Sequence, residues 1–183
     1  MTSYLVIAAT TAEAAHVPAD LPLVITGLGK TAAAAVTTRA LALRDDLDDL
    51  VIINIGTAGA LHDHMEGLHV PGVVLNHDIS ADALRALGYD PEERLTVGDS
   101  DTVLATGDLF VSDPDARDVL AQRAHLVDME GYAVVWAARQ FGVPVTLVKH
   151  VSDNADDQAA VDWPTAVEAS AVVLGDWLLE NAR

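Results

Sequence analysis

A chain of 183 residues with 51% hydrophobic residues is long enough for one sizeable core, and a single domain spanning 1–183 is expected. Its formal net charge of -18 excludes binding to a phosphate backbone, which requires clustered Lys and Arg. With no cysteine it has neither a disulfide framework nor a thiolate nucleophile or metal ligand.

The N-terminal "MTSYLVIAATTAEA" has no basic n-region, so no signal peptide is expected, and no apolar run reaches the ~20 residues of a membrane span. A cytoplasmic enzyme or binding protein is the default expectation. The acidity is read as a solubility property.

Apolar, β-branched runs recur along the chain. "YLVIAA" (4–9), "LPLVITG" (21–27) and "DLVIINIG" (49–56) are predicted strands, followed by "VPGVVLNH" (70–77), "DTVLATG" (101–107) and "VPVTLVKHVS" (143–152). Short continuous apolar runs predict strands buried on both faces. Helices are predicted over 30–47, 128–141 and 164–182, the second ended by Gly142 and Pro144 and the third opened by Pro164. Alternating strands and helices predict an α/β fold, a three-layer α/β/α sandwich with a central mixed, mostly parallel sheet.

Ligands of such sheets gather at the carboxyl ends of strands. The stretches there, "AATTAE", "TGLGK", "NIGTAGAL", "ATGDLF" and "KHVSDNAD", all combine small residues with a polar group. "GLGK" (27–30) opens a helix whose N-terminus favours an anionic or accepting ligand, yet it fits neither a P-loop nor a dinucleotide fingerprint. Taken alone it is more often a plain strand-to-helix turn, and "NIGTAGAL" alone is more often just a tight turn. Asp128 and Glu130 in "VDMEGYA" suit the dipole of a helix start without any function. His62, His64 and His69 match no zinc spacing, and no metal site is expected. Trp136, Trp163 and Trp177 lie on or beside helices and are read as packing residues.

Together and in order, these stretches resemble one family, the nucleoside phosphorylase/nucleosidase superfamily, on its 5'-methylthioadenosine/S-adenosylhomocysteine nucleosidase side. "GLGKTAAA" is similar to the family's Gly-x-Gly-Lys turn, and "VIINIGTAGAL" to its strand and Gly-Ser/Thr-Ala-Gly turn. "GDLFVSD" resembles the segment at the base pocket. "VDMEGYAVVWAARQFGVPVTLVKHVSDNAD" resembles the Met-Glu helix and the Ser-Asp-x-Ala-Asp strand end.

The resemblance implies a nucleosidase that hydrolyses the N-glycosidic bond of a purine nucleoside. It implies that Asp153 is the acid serving the purine N7 and that Glu13 activates water. By the same carry-over Glu130 grips the ribose hydroxyls, Met129 packs on the sugar and Phe110 stacks on the base. Thr57 and Ser152 are supporting polar groups, and Asp128 joins the substrate-binding set. No cofactor is implied. The implied partners are a small-molecule nucleoside and further copies of the chain, as a homodimer or higher homo-oligomer.

Phosphorylases of the superfamily hold phosphate with an arginine just before the Gly-Ser/Thr turn and another near the N-terminal strand. Here Asn54 stands at the first position, and 8–16 contains no arginine, so water is the expected nucleophile. A phosphate-dependent phosphorylase and a nucleoside-binding protein without turnover are the alternatives. The chain departs from the family in having only seven residues between Glu13 and Leu21, in a short segment before "ATGDLF", and in Lys149-His150 where Arg-Ala is common.

Overall fold

The computed structural model describes residues 2–182. The first strand, β1 (Ser3–Ala8), pairs in parallel with the short edge strand β2 (Leu23–Ile25) on one side and with β3 (Leu50–Ala60) on the other. Beyond β3 come β4 (Leu68–His69), β5 (Val73–Asn76), β6 (Arg94–Thr96), β7 (Val103–Thr106), β8 (Leu126–Asp128) and β9 (Val145–Asp153). The sheet runs β2-β1-β3-β8-β7-β5-β6, with β9 pairing to both β3 and β4. Five pairings are parallel and three antiparallel, so the sheet is mixed and mostly parallel as expected.

β3 determines where a site can form. Its first half is parallel to β1 and β9, and its last residues, Gly59 and Ala60, pair antiparallel with β8. The register against β9 slips between Ala58 and Gly59. Such an irregularity bends a strand and leaves its neighbours unevenly covered. The splay opens a gap between the ends of β3, β8 and β9.

Helices cover both faces. α1 (Lys30–Ala42) and α4 (Gly131–Arg139) pack on one side through Ala33, Leu41, Val134, Val135 and Ala138 against Leu5, Ile7, Ile52 and Leu147. On the other side α5 (Ala159–Asn181) buries Leu174 and Leu178 against Val6, Ala8, Ile53, Ile55 and Val148. Truncating either leucine to alanine should cost about 2–5 kcal/mol, since neither can be replaced by solvent without leaving a cavity. Two shorter helices, α2 (Ala81–Ala86) and α3 (Pro114–Ala121), follow β5 and β7 in the chain. Among the described residues no helix is long and apolar enough to cross a membrane.

Several predicted bounds move. The helix expected over 128–141 begins at Gly131, because Leu126–Asp128 is a buried strand whose last carboxylate then serves the helix. Asp128 Oδ2 accepts the Gly131 N–H at 2.9 Å, satisfying one of the first-turn donors that have no partner within the helix. The final helix starts at Ala159, not at Pro164. Pro164 is the sixth residue of this helix, so it removes the N–H that would bond the Ala160 carbonyl, and the helix continues past it to Asn181. The extra turn carries Trp163.

Candidate active site

The gap at the strand ends is a cavity of about 200 Å³, a space for one small molecule rather than a polymer strand. Glu13, Thr57, Phe110, Asp128, Met129, Glu130, Ser152 and Asp153 all line it. These are the eight residues named in the sequence, brought together from five separate stretches. Ala9, Leu28, Leu109, Val111, Val127 and Trp163 complete most of the remaining wall.

Glu13 follows β1 in a turn and is 5% exposed. Its Oε1 accepts the Thr57 N–H at 2.8 Å and the Thr57 hydroxyl at 3.0 Å. Its Oε2 accepts the Thr10 N–H at 3.1 Å and the Thr10 hydroxyl at 2.9 Å. Four donors on two oxygens hold the carboxylate in one orientation. β3 can come this close because residue 56 is glycine: a Cβ there would stand 3.1 Å from Glu13 Oε1 and 3.3 Å from Lys149 Nζ.

Asp153, the last residue of β9, sits against the bend of β3. A Cβ on Gly59 would stand 3.0 Å from Asp153 Oδ1, so the second glycine of "GTAG" makes room for the carboxyl. Asp153 Oδ2 accepts the Ser152 hydroxyl at 2.7 Å and Oδ1 accepts the Ala155 N–H at 2.9 Å. Those two bonds favour the charged form. Burial, reinforced by Asp156 and Asp162, outweighs them and pushes the Asp153 carboxyl above its ordinary value. Glu13 contacts β3 at Thr57 and Asp153 contacts it at Gly59, two residues apart, which is roughly 7 Å of strand.

Glu130 precedes α4 and accepts the Gly29 N–H on Oε1 at 2.8 Å. Its carboxyl is raised to about 7, mainly by burial and then by the neighbouring Asp128, with Glu13 adding to the effect. The next N–H of the Gly-rich turn, Lys30, donates to Asp108 Oδ1 at 2.7 Å. The helix start that "GLGK" offered to an anionic ligand is thus used by two carboxylates of the protein itself. Lys30 Nζ ties the same corner together through Asn76 and an ion pair with Asp78, and Asp78 Oδ2 accepts the Asp108 N–H at 2.8 Å. This lattice anchors the loop bearing Leu109 and Phe110, both exposed at the cavity mouth beside Leu28.

Asp128 lines the wall, but its oxygens are committed. Oδ1 accepts the Thr106 hydroxyl at 2.6 Å, and Oδ2 takes the Gly131 N–H and Lys149 Nζ, the last at 3.0 Å. Expected in the substrate-binding set, it lines the cavity and is at the same time held by three donors of the protein. Lys149 was visible in the sequence only as a departure from Arg. Its side chain is 2% exposed and that of Asp128 1%, so the pair is fully desolvated. Lys149 is the cation behind a wall that carries Glu13, Asp128, Glu130 and Asp153. A buried lysine on a strand otherwise filled with valine and leucine was the signal that could have singled it out.

Trp163 corrects another expectation. Read as a packing residue, it lines the cavity and donates its indole N–H to Thr57 Oγ1 at 2.8 Å. Nothing in its neighbourhood of sequence announces this, because its partner lies 106 residues away.

A mostly parallel sheet with helices on both faces and an acid-rich cavity at its strand ends defines an α/β protein with a small-molecule site. The phosphorylase superfamily model matches residues 20–174, and the chain belongs to that superfamily. Among curated relatives, a 5'-methylthioadenosine/S-adenosylhomocysteine nucleosidase of Staphylococcus aureus is 30% identical over 188 aligned residues, covering 84% of this chain and 78% of that one. An aminodeoxyfutalosine nucleosidase of Helicobacter pylori is 29% identical over 140 residues, and the match spans 63% of this chain and 61% of the relative's length. A mutant of the Helicobacter pylori nucleosidase solved with 5'-methylthioadenosine in its active site shares the fold, with a TM-score of 0.84 at 21% identity over 98% of this chain and 97% of that one.

Proposed function

We propose that the chain is a nucleosidase, hydrolysing the N-glycosidic bond of a purine nucleoside of the methylthioadenosine type to free base and a ribose moiety. One observation carries the reading. Two carboxyls meet β3 at points two residues apart, roughly 7 Å of strand, one met by four donors and the other pushed by burial toward its protonated form. A gap of that size leaves room for a sugar carbon and an attacking water between separate acid and base.

The chemistry follows from that division. As the bond between C1' and the base nitrogen breaks, its electron pair leaves with the purine, and positive charge builds on the sugar. Asp153 gives its proton to the purine N7, neutralising the leaving group. Water adds its oxygen to C1' from the opposite face and passes a proton to Glu13. In its ionised form Glu130 accepts from the ribose hydroxyls and stabilises the cationic sugar electrostatically. Met129 packs on the sugar, Phe110, 47% exposed at the mouth, has a free face for the base, and Ser152 and Thr57 hold the two carboxyls.

Water is favoured over phosphate as nucleophile. The only buried cation beside these carboxylates among the described residues is Lys149, and it is bound to Asp128. A phosphate would enter a cavity lined by four acids with no uncommitted positive charge to meet it. The two curated relatives described above carry nucleosidase names, which agrees with hydrolysis. Exposed Leu28, Leu109 and Phe110 around the opening support a homo-oligomer that covers the mouth.

Incubating the protein with a panel of purine nucleosides, with and without inorganic phosphate, and separating the products by chromatography tests the assignment. Phosphate-independent release of free base is expected. A strict phosphate requirement would transfer the chain to the phosphorylases, and binding without release would leave it a binding protein.

A further inference from the structure

Trp163 Nε1 donates to Thr57 Oγ1, and the Thr57 hydroxyl donates to Glu13 Oε1. The order is dictated by chemistry. An indole N–H can only donate, and a threonine hydroxyl has one proton and two lone pairs. Once the indole occupies a lone pair of Oγ1, the single Thr57 proton is left to the carboxylate. The opposite edge of Glu13 is built on the same plan. There the Glu13 N–H donates to Thr10 Oγ1 at 3.2 Å, and that hydroxyl donates to Oε2. Each hydroxyl is made a donor to Glu13 by an N–H behind it.

On the Thr10 side that N–H belongs to the same tight turn and comes with the local backbone. On the Thr57 side it must come from α5, across the cavity. We propose that Trp163 is a positioning residue: through Thr57 it fixes the plane of the Glu13 carboxylate, the group that takes the proton from water. The inference rests on the reading of Glu13 as the base. It also explains why α5 begins a turn earlier than its proline suggests, since only that turn brings the indole to β3. A phenyl ring at 163 would fill the same wall but leave the Thr57 hydroxyl free to rotate.

The test is a double-mutant cycle between Trp163 and Thr57, with 5'-methylthioadenosine as substrate. Trp163→Phe should lower kcat about three- to tenfold, the worth of one hydrogen bond, with KM held within about twofold. Thr57→Val should lose at least as much, and Trp163→Phe added to Thr57→Val should cost nothing further, because the indole acts only through that hydroxyl. Thr57→Ser, which keeps the hydroxyl, should retain both the rate and the sensitivity to Trp163→Phe. Equal losses for Trp163→Phe in the wild-type and Thr57→Val backgrounds, or a loss confined to KM, would overturn the proposal.

A second readout separates this idea from the assignment of activity. In protein carrying 15N-labelled tryptophan, the Trp163 indole resonance, assigned by its disappearance in Trp163→Phe, should move in Thr57→Val and also in Glu13→Gln. An indole resonance indifferent to Glu13→Gln would sink the chain of bonds itself. Movement of the resonance in a protein that releases no base would instead leave the chain intact and refute the nucleosidase reading.

Discussion

The two carboxyls that flank the bend of β3 have been given opposite surroundings. Glu13 is met by four donors, two backbone and two hydroxyl, and its neighbour across Gly56 is a lysine. Asp153 has two donors, is half-buried, and looks toward further acids at Asp156 and Asp162. Sequence position explains neither difference, since both residues are acids just past an apolar strand. What distinguishes them is the strand they meet. Glu13 lies where β3 still runs straight and offers the Thr57 N–H; Asp153 lies where the register has slipped and Gly59 leaves space but no donor. One strand irregularity thereby gives the proposed proton acceptor and the proposed proton donor different surroundings.

The largest effect should come from erasing one side of that contrast. Asp153→Asn removes the transferable proton and should lower kcat on methylthioadenosine by about 10²–10⁴-fold, read as base released per unit time. Because the folded protein raises Asp153, activity that needs it protonated should fall as pH climbs through that raised value, and this basic limb should vanish in Asp153→Asn.

Next comes the shared support. Lys149→Met leaves Asp128 buried without its cation and should destabilise the fold by about 3–5 kcal/mol, measurable by urea denaturation. Replacing both members, Lys149→Met with Asp128→Asn, should recover part of that loss. No recovery would mean that the lysine serves Glu13 rather than Asp128.

Glu130 sharpens the comparison from the middle. Its value in the fold, about 7, lies above its ordinary 4.5. Between those values the native state holds more protons than the unfolded state, so stability falls as pH rises through that window. At pH 8 this costs on the order of 3 kcal/mol, and Glu130→Gln should flatten the decline of the unfolding midpoint between pH 5 and 8. An unchanged slope would show that the neighbouring acids, not Glu130, hold the extra proton.

The smallest effect belongs to the mouth. Phe110→Ala should raise KM about five- to thirtyfold with little change in kcat, since a stacked base is worth roughly 1–2 kcal/mol.

Much of this was legible from residues alone. The strand-end turns were recognisable because glycine and threonine interrupt runs of valine and isoleucine, and the eight expected positions converge on one cavity. The elements that escaped are those with weak patterns. β8 has three residues and merges into the helix signal that follows; α2 has six. α3 carried a readable start, with Asp113 accepting the Asp115 N–H and Pro114 at its first position, but it buries no residue, so no apolar period marked it. Lys149 and Trp163 were missed for a different reason. Their roles depend on partners 21 and 106 residues away, and residue type alone gave the bland readings of variation and packing.

The division of labour between Asp153 and Glu13 is tested most directly by changing the leaving group. A p-nitrophenyl riboside releases a phenolate that departs without a proton, so a missing acid should cease to matter while a missing base should not. On that substrate Asp153→Asn should come within about tenfold of the wild-type rate, whereas Glu13→Gln should remain about 10²–10⁴-fold impaired, as on methylthioadenosine. If Asp153→Asn is as crippled on the nitrophenyl riboside as on the purine nucleoside, Asp153 is not the proton donor and the contrast drawn between the two walls is wrong.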